Sequence, residues 1–365
     1  MSIDWNVVQT VLILRTDHLG DLLLSTPLIR ALRTALPGRR FVLVASPANR
    51  EALVGWDGID EVRVFDPKWP LWKKWHYARQ LGRERWDLCL TLSPRTPSYL
   101  LGWLSGAPLR SGIIYSRRIL ARLLSPLWLT HPVVVPVDEQ LAQGESVAHE
   151  VVQLAGIAAA LGLPIDKPGP LEIPLGQAER AWADEWLQQQ EPKFASEQHS
   201  PKLVGIHGAG KWLAQGWTAA DFINLAQQVL SGCQTAASDA VKLLLTFGPG
   251  DRELESAVMQ TLAQQTNPAF LLPGPLPIPR WAALTSHCDV VISPDTGSLH
   301  LAVAVGRPVV AVYESGSFLH CSSQWAPWQV PAAIVRRTSP AATLPAIVAE
   351  AVRLLGSREV ADQSN

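Results

Sequence analysis

The chain has 365 residues, 47% of them hydrophobic and 17% charged, which is enough apolar material for two buried cores and excludes a disordered polypeptide. A formal net charge of -1 offers no global basic excess, so no nucleic-acid partner is expected. The first residues lack a basic-then-apolar leader pattern, and no apolar run reaches the roughly 20 residues that span a bilayer, so a cytoplasmic protein is expected.

Short apolar runs alternate with segments of helical period, the signature of parallel sheets covered by helices. In the first half, strands are predicted at Val8–Leu14, Phe41–Ala45, Glu61–Phe65 and Asp87–Leu92. Thr26-Pro27 predicts an N-cap and first helical position for a helix carrying Leu28, Ala31, Leu32, Ala35 and Leu36, ended by Pro37-Gly38. Further on, Arg110, Arg117, Arg118 and Arg122 lie among Ile113, Ile114, Leu120, Leu123, Leu124 and Trp128. They read equally as a solvated helix face or as a patch for a phosphorylated or carboxylated acceptor beside an anionic membrane surface.

A Pro- and Gly-rich break at Pro164–Pro174 marks a domain boundary. The expected organisation is residues 1–168, then 169–340, then a helix and tail at 341–365 that packs back on the first domain. The second half predicts strands at Leu203–His207, Val241–Phe247, Ala269–Leu272, Asp289–Ser293, Pro308–Tyr313 and Ala333–Arg336. Helices are predicted at Ala219–Leu230, Asp251–Gln265, Arg280–Cys288, Gly297–Val305 and Leu344–Leu355, with loops at Glu191–Pro201 and Ser231–Ala240. The fold class is α/β, a pair of Rossmann-like domains. Ligands bind beyond the carboxyl ends of such strands, so the cleft between the domains is the expected site.

Four strand-to-loop segments carry candidate chemistry. In Val291–His300, a buried strand runs through Pro294 into Asp295, Thr296 and Gly297, and His300 lies one turn into a helix. The unpaired N–H groups and positive dipole end of that helix suit a diphosphate, although Asp295 also reads as a plain cap and His300 as a core side chain. In Leu12–Asp21, Asp17 and Asp21 flank His18. A carboxylate at a strand's carboxyl end is placed as a general base; the alternative is that Asp21 only complements a helix dipole. The segment Val204–Lys211 contains His207, Gly208, Ala209, Gly210 and Lys211 in a GxxxxGK pattern. Trp212 stands where a P-loop needs Ser or Thr, which excludes that class, but backbone N–H groups and Lys211 still suit a phosphate. In Phe247–Arg252, a turn through Gly248 brings Asp251 to a helix start, as a ribose acceptor or as a helix-start acid. Asp295-Thr296-Gly297 has no second copy, so the aspartic-protease pair is excluded, and no G-x-S-x-G elbow occurs. The four cysteines have no metal-ligand spacing and read as buried thiols.

In order and spacing, Gly20-Asp21, the His207-Gly208-Ala209 loop with a downstream Trp217, the Gly248–Asp251 turn and Pro294–His300 followed by Arg307-Pro308 resemble glycosyltransferase family 9, the heptosyltransferases of lipopolysaccharide core assembly. The similarity extends from about Val11 to Pro327 and is weakest between Pro67 and Pro170. It implies a GT-B fold, with the first domain taking the acceptor and the second the nucleotide-sugar. It also implies inverting transfer with no cofactor and no catalytic metal. On this analogy Asp21 is the general base. Asp295, Thr296 and Gly297, with His300 nearby, meet the sugar diphosphate; Ala209 and Gly210 line the phosphates; Asp251 faces the ribose and Leu276 the base. The implied donor is ADP-heptose, and the implied acceptor a lipid-linked saccharide at the inner face of the inner membrane, reached by peripheral contact. Asp17, His18, Arg110, Arg117 and Arg118 are the candidate acceptor contacts.

The chain departs from the family at two places. Gln215 stands where the family usually has Lys, leaving Lys211 as the alternative cation, and Glu314-Ser315-Gly316 replaces a Gly-rich turn. These departures keep two other readings open: a GT-B enzyme using a UDP- or GDP-sugar, and a catalytically silent nucleotide-sugar binder.

Overall fold

A computed structural model describes residues 3–195, 200–237, 239–265 and 267–362. The chain divides into two compact units, Met1–Pro174 with Ser323–Trp325, and Leu175–Ser322 with Ala326–Asn365. Among the described residues, each unit is built on one six-stranded sheet.

The first sheet contains β1 (Thr10–Arg15), β2 (Arg40–Ala45), β3 (Glu61–Val64), β4 (Leu88–Thr91), β5 (Leu109–Tyr115) and β6 (His131–Val135). Its order is β3-β2-β1-β4-β5-β6, and every pairing is parallel. The second contains β7 (Lys202–Gly208), β8 (Val241–Phe247), β9 (Phe270–Leu271), β10 (Val290–Pro294), β11 (Val309–Glu314) and β12 (Ala332–Arg337). Its order is β12-β11-β10-β7-β8-β9, again all parallel. The order reverses between β1 and β4 in one sheet and between β7 and β10 in the other. Those are the switch points where an open α/β sheet receives ligands. The loops after β1, β7 and β10 carry three of the four candidate segments.

The central strands are buried on both faces, which is why they read as unbroken apolar runs. All four cysteines are buried. Among the described residues no helix is long and apolar enough to cross a membrane.

Several expectations change. The Arg110–Trp128 stretch is not one helix face: Arg110 lies on β5, Arg117 and Arg118 in the turn after it, and only the Ile119–Trp128 segment is helical. β5 and β6 went unread because Gly112 and Pro132 sit inside them and each strand is interrupted by polar or turn-forming residues. Thr26 is the first residue of the Thr26–Ala35 helix, whose cap is Ser25; that single residue separates it from the Leu19–Leu24 helix. Ser231–Ala236 is helical, the end of Ala219–Ala236, because Cys233 is buried and Gly232 leaves room for the final helix. A Cβ at Gly232 would stand 2.6 Å from the Val348 side chain. The rest of the expected loop at Glu191–Pro201 lies partly outside the described residues, with a short turn of helix at Pro192–Ala195.

The closing helix, Pro340–Asp362, is grouped with the second unit. Leu344, Ile347, Ala351, Leu354 and Leu355 enter the core formed with Phe222, Leu225 and Val229 of the Ala219–Ala236 helix. Its apolar face is consumed there, which fixes its docking partner.

Candidate active site

In the first unit, β1 delivers Arg15 to the base of the site, where it is 1% exposed. A buried guanidinium requires partners on most of its N–H groups. Its NH2 donates to Glu150 Oε1 at 2.6 Å, its Nε to the Asp21 carbonyl at 2.9 Å, and its NH1 to the Leu92 carbonyl at the end of β4. Asp17 Oδ1 is 3.4 Å from Arg15 Nε and Asp21 Oδ1 is 3.8 Å from NH2, so three carboxylates surround one cation.

The two loop aspartates differ. The Asp17 side chain is turned inward and buried, and burial pushes its carboxyl above the usual range despite Arg15. The Asp21 side chain stays partly open. Burial acts to raise its pKa, but hydrogen bonds from His18 and the Arg15 charge outweigh it and hold the carboxyl at about 2. His18 donates its backbone N–H to Asp21 Oδ2 at 3.2 Å, and its Nδ1 lies 3.3 Å from the same oxygen. The exposed His18 ring is in turn raised above its ordinary value by Asp21. Asp21 is thus an ionised carboxylate at neutral pH, fixed by the first turn of a short helix.

The other acceptor candidates are spread along the unit. Arg110 donates to the Trp128 carbonyl at 2.7 Å and the Ala107 carbonyl at 2.5 Å, tying β5 to the end of the following helix. Arg117 is exposed. Arg118 donates to the Pro94 carbonyl and lies over the Tyr115 ring.

In the second unit, the loops after β7 and β10 meet at the switch point. Lys211 Nζ lies 3.0 Å from Asp295 Oδ2 and also donates to the Asp295 carbonyl. Thr296 caps the Gly297–Ala304 helix by position, while its hydroxyl lies 2.6 Å from Ser298 Oγ, which lies 2.6 Å from Ser293 Oγ. His300 is buried one turn in.

Asp251 joins two glycine loops. Its Oδ1 accepts from Gly210 N–H at 2.6 Å and its Oδ2 from Gly248 N–H at 3.1 Å. The approach is close enough that a Cβ at Gly248 would stand 2.7 Å from Oδ2. At Gly208 a Cβ would stand 2.2 Å from the Phe247 ring, so a side chain at either position would have to displace its neighbour. Ala209 is buried between them in sequence, and Leu276 lies half-buried just before the Ile278–Ser286 helix. His207 is buried against Trp281 and 3.1 Å from Thr246 Oγ1; burial pushes its pKa down to about 3, so it stays neutral.

Sequence reasoning missed the residues beneath these loops. Glu150 lies 135 positions from Arg15, and no local pattern announces the pair. Glu150 Oε2 also accepts from Gln324 Nε2 and Trp325 Nε1, each at 3.0 Å. In the second unit, Arg337 is 1% exposed. It donates to the Lys211 carbonyl and, at 3.0 Å, to Glu314 Oε1. An Arg closing an apolar strand, as in Thr10–Arg15 and Ala332–Arg337, was the available signal.

The glycosyltransferase family 9 (heptosyltransferase) pattern matches residues 74–345. The chain belongs to glycosyltransferase family 9. It is a heptosyltransferase-like glycosyltransferase with the two Rossmann-like units of the GT-B fold. It is 21% identical to lipopolysaccharide heptosyltransferase 2 of Escherichia coli (strain K12), over 84% of this chain and 83% of that one. Its fold matches a family 9 glycosyltransferase from Veillonella parvula with a TM-score of 0.76 at 20% identity, covering 98% and 99% of the two chains. The E. coli ADP-heptose lipopolysaccharide heptosyltransferase II matches with a TM-score of 0.74 at 17% identity, covering 96% and 99%. The matched family range includes every second-unit residue above and begins after Asp17, His18 and Asp21.

Proposed function

We propose that this family 9 enzyme transfers heptose from ADP-heptose to a saccharide of the lipopolysaccharide core, with inversion, and that Asp21 is the general base. The observation that carries this reading is the ionised Asp21 carboxylate, held on Arg15 and His18 at the end of the central strand. Such a group is ready to accept a proton at any physiological pH. Its low basicity places proton transfer late, after the acceptor oxygen has begun to bond to the anomeric carbon and become acidic. The acceptor hydroxyl loses its proton to Asp21, its oxygen bonds to the sugar carbon, and the nucleoside diphosphate leaves with the bonding pair.

The leaving diphosphate needs charge stabilisation. Two features of the second unit supply it: the N-terminus of the Gly297–Ala304 helix and Lys211, which stands in for the Lys that Gln215 replaces. Lys211 is half-exposed on a flexible stem, so a diphosphate can draw it from Asp295. The ADP-heptose assignment rests on the named relatives.

The test is nucleotide release by the purified protein with ADP-heptose and core acceptor, against Asp21→Ala. ADP release by the wild type that collapses in the variant is expected. Consumption of a UDP- or GDP-sugar in preference overturns the donor assignment, and full turnover by Asp21→Ala overturns the base.

A further inference from the structure

Three helices follow β3, β4 and β5 in the first unit: Leu71–Leu81, Thr96–Leu104 and Ile119–Trp128. They pack one against the next as a continuous layer. A helix layer of this kind normally hides its large apolar side chains. Here Leu71 is 82% exposed, Trp72 71%, Trp103 48%, Leu120 71% and Leu123 69%. The same outer surface carries Lys73, Arg95, Arg117, Arg118 and Arg122, all exposed.

The charge on this surface is predominantly positive, with Glu139 the carboxylate beside Arg117 and Arg122. Between Asp66 and Glu84 there are only basic charges, and from Leu88 to Val137 there is no Asp or Glu. A chain of net charge -1 therefore presents mainly cations on, and in the loops just before, the helices that expose large apolar residues. A two-fold contact between copies would set these arginines against one another, which costs affinity. An anionic bilayer surface satisfies both halves of the pattern. Tryptophan and leucine enter the headgroup boundary, and arginine and lysine pair with lipid phosphates.

We infer that this three-helix face docks the enzyme on a membrane leaflet containing anionic phospholipid. The inference rests on the surface itself and needs neither the donor nor the base assignment. The test is co-sedimentation of the full chain with phosphatidylcholine vesicles, with and without phosphatidylglycerol, at low and high salt. Binding to the anionic vesicles, screened by salt, is expected. The double variant Leu120→Glu, Leu123→Glu is expected to keep its melting temperature and lose binding by at least roughly tenfold. Failure of the wild type to bind anionic vesicles, or equal binding by the double variant, overturns the inference. So does a wild-type dimer that the same two substitutions dissociate, since the face would then belong to a second copy.

Discussion

The two units solve the same problem with different cations. In each, a loop at the switch point places an aspartate beside a positive charge. In the first, the cation is Arg15, fully buried and clamped by Glu150 from another helix. In the second, it is Lys211, half-exposed and paired with Asp295. The guanidinium fork is fixed by its hydrogen bonds; the ammonium sits on a flexible stem and can exchange partners. On the proposed roles, the contrast separates a part that orients a reacting group from a part that yields to an incoming anion.

Substitutions test that contrast, the largest effect first. Asp21→Ala removes the proposed base and is expected to lower kcat by about 10²–10⁴-fold while donor affinity stays unchanged in a titration. Glu150→Gln removes the carboxylate charge paired with the buried Arg15 and is expected to cost about 3 kcal/mol, read as a lowered melting temperature. Lys211→Ala removes the proposed phosphate contact and is expected to raise the donor KM by roughly tenfold with little change in melting temperature. If Lys211→Ala destabilises the fold as much as Glu150→Gln, both cations are structural and the distinction collapses.

The smallest effect is a shift in pH dependence. Asp21 is depressed from 3.8 to about 2, so its contribution to stability is present above pH 4 and lost as the pH falls toward 2. His18 is raised above 6.5, so its contribution is present below that value and lost as the pH rises through the raised one. His18→Gln is expected to move the acid limb of kcat/KM upward toward 3.8 and to remove a step above 6.5. An unchanged profile would separate His18 from the base.

Legibility followed the range of the interactions. The strands around both switch points were readable because two-sided burial demands unbroken apolar runs such as Val11–Leu14 and Val290–Ile292. The glycine loops of the second unit were readable because their glycines sit in close local contact, as at Gly208 and Gly248. β5 and β6 were not, since Gly112 and Pro132 break the apolar pattern that marks a strand. Glu150 was invisible for another reason: it serves a residue far away in sequence, and its own surroundings resemble an ordinary helix start.

The clamp on Arg15 also sets an order of events during synthesis. Glu150 takes its remaining hydrogen bonds from Gln324 and Trp325, which lie 174 and 175 residues further along. A ribosome adding about 5–20 residues per second needs roughly 10–35 s to reach them. Through that interval the nascent first unit lacks those two donors. Its completion is therefore tied to late translation, and a chain released before Trp325 would leave the first unit unfinished however well its own sheet had formed.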